Sequence, residues 1–366
     1  MAVGTLAILG SGETAPNMVR VYRDLLADLS PRRGVMLDSS FGFQENVPQL
    51  TAKIVDYFAT SLGLEIEPAS LLDVTATTEL QRAAFLEQVE SSSFVFAGPG
   101  SPSYAMHQWG PVGLGDSLIK VLAGGGVVCF ASAAALTLGH FTAPIYELYK
   151  VGERPFWIDG LNVLGRFGID CVVIPHYDNA EGQNHDTRFC YLGERRLLAL
   201  ESMLEPDVAT LGIDEHTAAI FDLDAGTLSV RGRGAVHWRI GGVTRDIDSD
   251  EPVDLASLRR EGHTPTVVHQ PTSPVDTDSI EELGHVAAGG GAEGVAAVAR
   301  LMRLAATGGS NRIDPTPVVE GVLRARTLAR SAGNFEISDA LRDALVAGGI
   351  EVKDGPEGPT WSIKGS

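Results

Sequence analysis

Basic residues are scarce in this chain of 366 residues: 28 Lys and Arg stand against 47 Asp and Glu, a formal net charge of -19. A surface of that sign repels phosphate backbones, so nucleic-acid binding would need a local basic patch set against the overall field. Cysteine is as sparse. Cys129, Cys171 and Cys190 show no CxxC pairing, and two of them lie in apolar runs. They read as reduced, mostly buried thiols, which fits a cytoplasmic setting. Long hydrophobic runs are missing too. The opening "MAVGTLAILGSG" has no basic region, and its apolar stretch falls far short of the roughly 20 residues that a spanning helix needs. Neither export nor membrane insertion is expected.

What is present is an ordinary globular composition, 44% hydrophobic, in a chain long enough for one large domain and a small appendage. Five short apolar runs, "TLAILG", "GVMLD", "SFVFAG", "GVVCFA" and "CVVIP", alternate with helix-length amphipathic segments. Strands buried on both faces and separated by helices predict a mostly parallel sheet with helices on each side, an α/β fold. The closely spaced "AAIFDL", "TLSVRG" and "GAVHWRI" predict an antiparallel edge hairpin on that sheet. This domain spans residues 1–243. Residues 244–280, rich in Pro, Asp, Ser and Thr, read as a linker. Residues 281–309 read as an Ala-rich helix and a joint. In residues 310–366, Val319, Val322 and Leu323, then Ile337, Leu341, Ala344 and Leu345, mark two helices followed by a strand, a turn and a closing strand.

In a parallel α/β sheet, ligands gather beyond the carboxyl ends of the strands. Four such loops carry unusual residues: "GSGETAP", "GPGSPSYAMHQW", the turn at Ser132, and "PHYDNAEGQNHDTR". The first, Gly10 to Ala15, fits a relaxed dinucleotide fingerprint with Asp38 as a ribose ligand. Against that, Glu13 would face the pyrophosphate, and a plain glycine turn is the simpler reading; no cofactor is expected. Ser132 stands between a strand and the segment "AAALTLG". It is either a nucleophile on a tight strand-to-helix turn or the N-cap of the helix that follows. His176 directly follows "CVVIP" and should emerge at the same edge, where it could take the serine proton and return it to a leaving amine. Cys129, three residues before Ser132 and inside the strand, has the wrong phase to serve instead.

At these residues the chain resembles a family. "PHYDNAEGQNHDTR" is similar to the catalytic-histidine segment of dipeptidase E, and "LGIDEHTA" resembles a stretch of cyanophycinases, both serine peptidases on a class I glutamine-amidotransferase-like fold. "GPGSPSY" resembles their glycine-rich turn and "ASAAA" their nucleophile segment, so the likeness covers about residues 4–240. It implies Ser132 as nucleophile, His176 as general base, and Gly100 and Ala133 N–H as oxyanion donors. It implies Glu147 as the third member, with Asp178, Asp214 and Glu215 as competitors. Arg188 would hold an acidic substrate side chain, with Ser101 and Asn179 also against the substrate. Arg195 and Arg196 read as a charged helix face. Pro99 in the glycine turn cannot donate a hydrogen bond, and Phe130 and Ala134 stand where the nucleophile-elbow pattern has glycines.

A second resemblance covers about residues 319–361. "LRARTLARSAGNFEISDALRDALVAGGIEVKDGPEGPTW" is similar to the extreme C-terminus of cysteinyl-tRNA synthetase, though the chain has no HIGH-type or KMSKS-type signature. From Pro317 onward six basic residues face seven acidic ones, a poor footprint for RNA, so docking on protein is the simpler role and tRNA the other. The resulting expectation is a cytoplasmic serine hydrolase acting on a small peptide or amide, such as an acidic or isoaspartyl dipeptide. The alternative is a non-catalytic small-ligand module whose tail docks a translation-related partner. No metal and no membrane partner are expected, and a homo-oligomer stays open.

Overall fold

All five apolar runs become strands: β1 (Thr5–Leu9), β2 (Gly34–Leu37), β4 (Phe94–Ala97), β5 (Val127–Ala131) and β8 (Cys171–Ile174). A short strand that the sequence pattern did not disclose, β3 (Ile66–Ala69), follows β2. In this computed structural model, which describes residues 3–27, 29, 33–248, 251–259, 319, 323, 326, 327, 329–331, 333, 335–347, 350–355 and 358–363, β1, β5, β4, β2 and β3 lie side by side and parallel. β10 (Thr217–Asp222) pairs antiparallel with the free side of β1, and β11 (Thr227–Gly232) and β14 (Val253–Asp254) complete an eight-stranded sheet.

Side chains alternate across the sheet. Ala7, Leu9, Met36, Phe94, Phe96, Cys129 and Ala131 meet α1 (Val19–Leu26) and α2 (Val47–Leu62) on one face. There Tyr22 and Phe58 pack edge-on and tilted against Phe96, with centroids 6.4 and 5.0 Å away, at the separations aromatic pairs prefer. α2 ends at Gly63, whose left-handed φ of 64° lets its N–H close back on Ala59 O. On the opposite face Phe130 meets Trp109 of α4 (Pro102–Trp109), and α5 (Leu114–Ala123) packs under β5. β4 and α3 (Glu79–Glu90) complete the alternation of strand and helix before them.

The single sheet that the pattern suggested is two. β8 leaves the main sheet and pairs in parallel with β9 (Ala209–Ile213), to which β12 (Val236–Ile240) and β13 (Val243–Ile247) add antiparallel. "GAVHWRI" therefore belongs to this second sheet, not to an edge hairpin of the first. The turn after β11 redirects it: Gly232 has φ 122°, and a Cβ there would sit 2.3 Å from His216 O. A hydrophobic cluster that includes Leu136, Leu148, Ile174, Leu197 and Leu200 packs α6 (Gly193–Glu201) by this sheet. A two-stranded ribbon pairs β6 (Phe141–Thr142) with β7 (Ile158–Asp159) as a small sheet of its own, with β6 against β8.

The chain divides into two compact units, Met1–Ala76 with Gln88–Gln270 and Thr77–Glu87 with Pro271–Ser366. The linker expected from residue 244 begins later than the composition suggested. β13 runs to Ile247, β14 follows at Val253, and Leu255 is buried, because Ile247 and Leu255 supply apolar anchors within the polar run. The rest of the linker and the Ala-rich helix fall outside the described residues. In the second unit α7 (Phe335–Ala347) buries Leu341 and Leu345, as its periodicity predicts, and β15 (Ile350–Gly355) pairs antiparallel with β16 (Gly358–Ile363). Among the described residues no helix is long and apolar enough to cross a membrane.

Candidate active site

β5 ends at Ala131, and the next residue, Ser132, turns out of the sheet with a left-handed φ of 53°. Its N–H donates to Leu9 O (3.1 Å), and Ala135 N–H returns to Ser132 O (3.0 Å), so the turn is fixed at both ends. The N-cap alternative does not hold. The 3₁₀ turn Ala135–Leu138 has Ala134 at its start and no side-chain cap, and Ser132 Oγ lies instead 2.9 Å from His176 Nε2. Ala131, Ala133 and Ala134 are buried, which the tight turn requires, and Phe130 points to the far face against Trp109. The two positions that lack pattern glycines thus leave Ser132 unobstructed.

His176 also has a left-handed backbone, φ 47°, and its N–H donates to Gly10 O (3.3 Å). Its Nδ1 lies 2.7 Å from Glu215 Oε1. An ionised carboxylate only accepts, so Nδ1 carries the proton there and Nε2 presents its lone pair to the Ser132 hydroxyl. Glu215 in turn accepts from Asn179 Nδ2 (3.1 Å), and its own N–H donates to Asp178 Oδ1 (2.7 Å). The bond to His176 holds the Glu215 carboxyl below its ordinary pKa, and Asn179 adds to this while partial burial opposes it.

Glu147, the expected third member, is elsewhere: it accepts from Ser103 Oγ at 2.6 Å. It opens a π-helical turn, Glu147–Val151, and its bond is to Ser103 rather than to His176. Glu215 reaches His176 because β8 and β9 are parallel neighbours, so the residues just past their ends meet. Asn179 is a buried support of Glu215 rather than a substrate contact, since its amide is already committed. Ser101 is likewise buried; its Oγ caps α4 by accepting from Tyr104 N–H and contacts Ser103 Oγ. Arg188 gives its fork to Asp186, Nε to Oδ1 and Nη2 to Oδ2 both at 2.9 Å, with Glu194 3.6 Å away. The same pairing holds the Asp186 carboxyl far below its ordinary range, and Arg188 is absent from the walls of the cleft beside Ser132.

Gly100 and Ala133 stand where the oxyanion donors were expected. Among the described residues neither N–H has a hydrogen-bond partner. Gly100 has φ 144°, and a Cβ on it would lie 2.0 Å from Ser40 O, so only glycine fits. Pro99 contributes its carbonyl, which accepts from Ser40 Oγ (2.9 Å), while Gly100, not Pro99, lines the cleft beside Ser132. Beside Ser132 opens a cleft of about 380 Å³, with Tyr146, Tyr149, Lys150, Glu181, His185 and Tyr191 in its walls. Cys190 reaches it as well. Phe189, Cys190 and Tyr191 form a left-handed turn, φ 61°, 55° and 65°, with Cys190 N–H on His176 O (3.1 Å). The glycine loop after β1 faces protein: Gly10 lies against Asp214 O and Gly12 against the His216 ring. Asp38 is buried and accepts from Ser70 Oγ.

No family model matches the chain. A solved peptidase from an acI-B1 actinobacterium superposes with a TM-score of 0.56 at 20% identity, covering 69% of this chain and 97% of that one. The cysteine–tRNA ligase of Beutenbergia cavernae is 51% identical over 49 residues, 13% of this chain and 10% of the ligase. That of Kocuria rhizophila is 29% identical over 171 residues, 43% of this chain and 34% of the ligase. The chain therefore shares the fold of a solved peptidase over 69% of its length, and it carries a ligase-like segment that spans between 10% and 34% of those two curated relatives.

Proposed function

We propose that the chain is a serine hydrolase of small peptides or amides. The observation that carries this reading is the continuous chain Ser132 Oγ to His176 Nε2 (2.9 Å) and His176 Nδ1 to Glu215 Oε1 (2.7 Å). Such a relay beside two unoccupied N–H donors is the arrangement that acyl transfer needs.

In this mechanism Ser132 Oγ attacks the scissile carbonyl carbon as its proton passes to His176 Nε2. The carbonyl π electrons move onto oxygen, and Gly100 and Ala133 N–H receive the oxyanion. Glu215 stabilises the imidazolium. Collapse of the tetrahedral species breaks the C–N bond, His176 gives its proton to the departing amine, and an acyl-serine remains. Water then attacks the ester with His176 as base; the C–O bond to Ser132 breaks, and the acid and the free enzyme result. An acidic substrate selected by Arg188 is not part of this reading, because a guanidinium held bidentately by Asp186 has little left to offer a carboxylate.

A fluorophosphonate probe tests the proposal. It should label the wild-type protein and fail on Ser132→Ala, with the wild type also releasing amine from a panel of dipeptides and amides. Absence of both labelling and turnover would overturn it.

A further inference from the structure

Behind the Ser132 relay lies a second histidine that the hydrolytic steps do not use. His237, on β12, is nearly enclosed, with 15% of its side chain exposed. Its Nε2 lies 2.9 Å from Asp214 Oδ1 and its Nδ1 2.8 Å from Asp246 Oδ1. Its ring stacks on Tyr177, with centroids 4.5 Å apart and planes 21° apart. Two of these neighbours, Tyr177 and Asp214, lead to the site. Tyr177 follows His176 directly, and Asp214 directly precedes Glu215.

The fit of these parts is specific. Asp214 Oδ2 accepts Ala235 N–H (2.9 Å), so one carboxylate joins the strand before Glu215 to the turn before β12. Tyr177 N–H donates to Ile213 O (3.1 Å), and its ring lies where a Cβ on Gly212 would be 2.4 Å away, so β9 is notched to admit it. His237 thus touches the loops after both β8 and β9, the two that bring His176 and Glu215 together.

We propose that His237 is a positioning residue for the catalytic pair: clamped between Asp214 and Asp246, and stacked under Tyr177, it holds the His176 and Glu215 loops in register. The proposal rests on the hydrolase reading for its kinetic meaning, though not for its structural content. Both ring nitrogens face carboxylate oxygens, so both must donate, and only the imidazolium can do that. Burial pulls the His237 pKa down, yet the bonds to Asp214 and Asp246 outweigh it, and the net shift is upward. The clamp is therefore complete below the ordinary histidine value and is lost as pH rises through the raised one. The groups that face His237 are Asp214 from the loop after β9, Asp246 from β13 and Tyr177 from the loop after β8. Arg239, two residues along β12, is engaged separately by Glu194 and Glu201 of α6, both at 2.8 Å.

Two variants and two readouts test this. His237→Gln keeps a donor for one carboxylate but turns an acceptor toward the other. Asp246→Asn, at a side chain that is 67% exposed, weakens the clamp without opening the core. In the full-length protein, the histidine Cε1–H resonances are followed against pH. The His176 resonance should sense the His237 titration in the wild type, and Asp246→Asn should move that step to lower pH. In both variants kcat should fall about 10-fold or more with KM within about twofold, the split expected when groups are misplaced rather than removed from substrate. The alkaline limb of kcat should move to lower pH in Asp246→Asn. A His176 resonance blind to the His237 step, or an alkaline limb unmoved in Asp246→Asn, overturns the proposal. Should the wild type take no fluorophosphonate, the hydrolase reading falls, and the resonances still decide the role of His237.

Discussion

Ser132 and His176 face each other across 2.9 Å from two backbones that are both left-handed, at φ 53° and 47°. Non-glycine residues pay about 1–2 kcal/mol for that conformation, and it persists here because neighbouring hydrogen bonds over-determine it. Ser132→Gly should remove the strain along with the hydroxyl, whereas Ser132→Ala removes only the hydroxyl. Urea unfolding should find the glycine variant about 1 kcal/mol more stable than the alanine variant, with both inactive. Equal stabilities would mean that the turn stores no strain.

Glu215 rather than Glu147 should govern the histidine. Glu215→Gln keeps the size of the side chain but removes the charge and lets the wrong tautomer form. Its kcat should drop by about 10⁴-fold, as expected for loss of a tautomer-fixing acid. Glu147→Gln, whose contact is Ser103, should stay near the wild-type rate. Steady-state hydrolysis by the two variants, side by side, decides between them.

The depressed pKa of Glu215 also has a stability consequence with a definite sign. Its contribution is fully present above the ordinary value of 4.5 and disappears as pH falls through the lower folded value. Unfolding free energies of wild type and Glu215→Gln, measured from about pH 6 down to pH 3, should therefore converge toward the acid end. A gap that stays constant would assign the stabilisation to packing.

Arg188→Ala should alter KM for acidic and neutral substrates by the same factor. Its guanidinium braces Asp186 and lies over the Phe189 ring, 4.9 Å from the centroid, so its loss loosens a loop without erasing a specificity. A selective rise in KM for acidic substrates, measured on matched pairs, would return Arg188 to the substrate.

The thiols should be silent. Burial pushes the Cys129 thiol far above its ordinary value and the Cys190 thiol up to about 12. Iodoacetamide at neutral pH should leave the native protein active and all three cysteines unmodified, as mass spectrometry would read. Inactivation by alkylation would point to a cysteine mechanism.

Much of this site was legible because strand ends are legible. Ser132 and His176 each follow an apolar run, and a parallel sheet delivers such residues to one edge. Gly100 was legible for the same reason, through the turn after β4. Glu215 was harder to choose, since it follows a strand, "ATLGI", whose glycine and alanine blur the pattern, and the resemblance to dipeptidase E implied Glu147. Arg188 misled because the sequence shows a guanidinium but not that Asp186, two residues away, already holds it. The split into two sheets was hidden for a related reason: apolar runs show that strands are buried, not which neighbour each one finds.

That split gives the Ser132–His176–Glu215 relay a second character. Ser132 and Gly100 hang from the eight-stranded sheet, while His176 and Glu215 hang from the four-stranded one. Under the proposed hydrolase reading these groups are the two halves of a clasp, and an acyl group or inhibitor that engages both should draw the sheets together. Occupancy of so small a site should then be felt as resistance to melting throughout the larger unit, a property of the architecture more than of the chemistry.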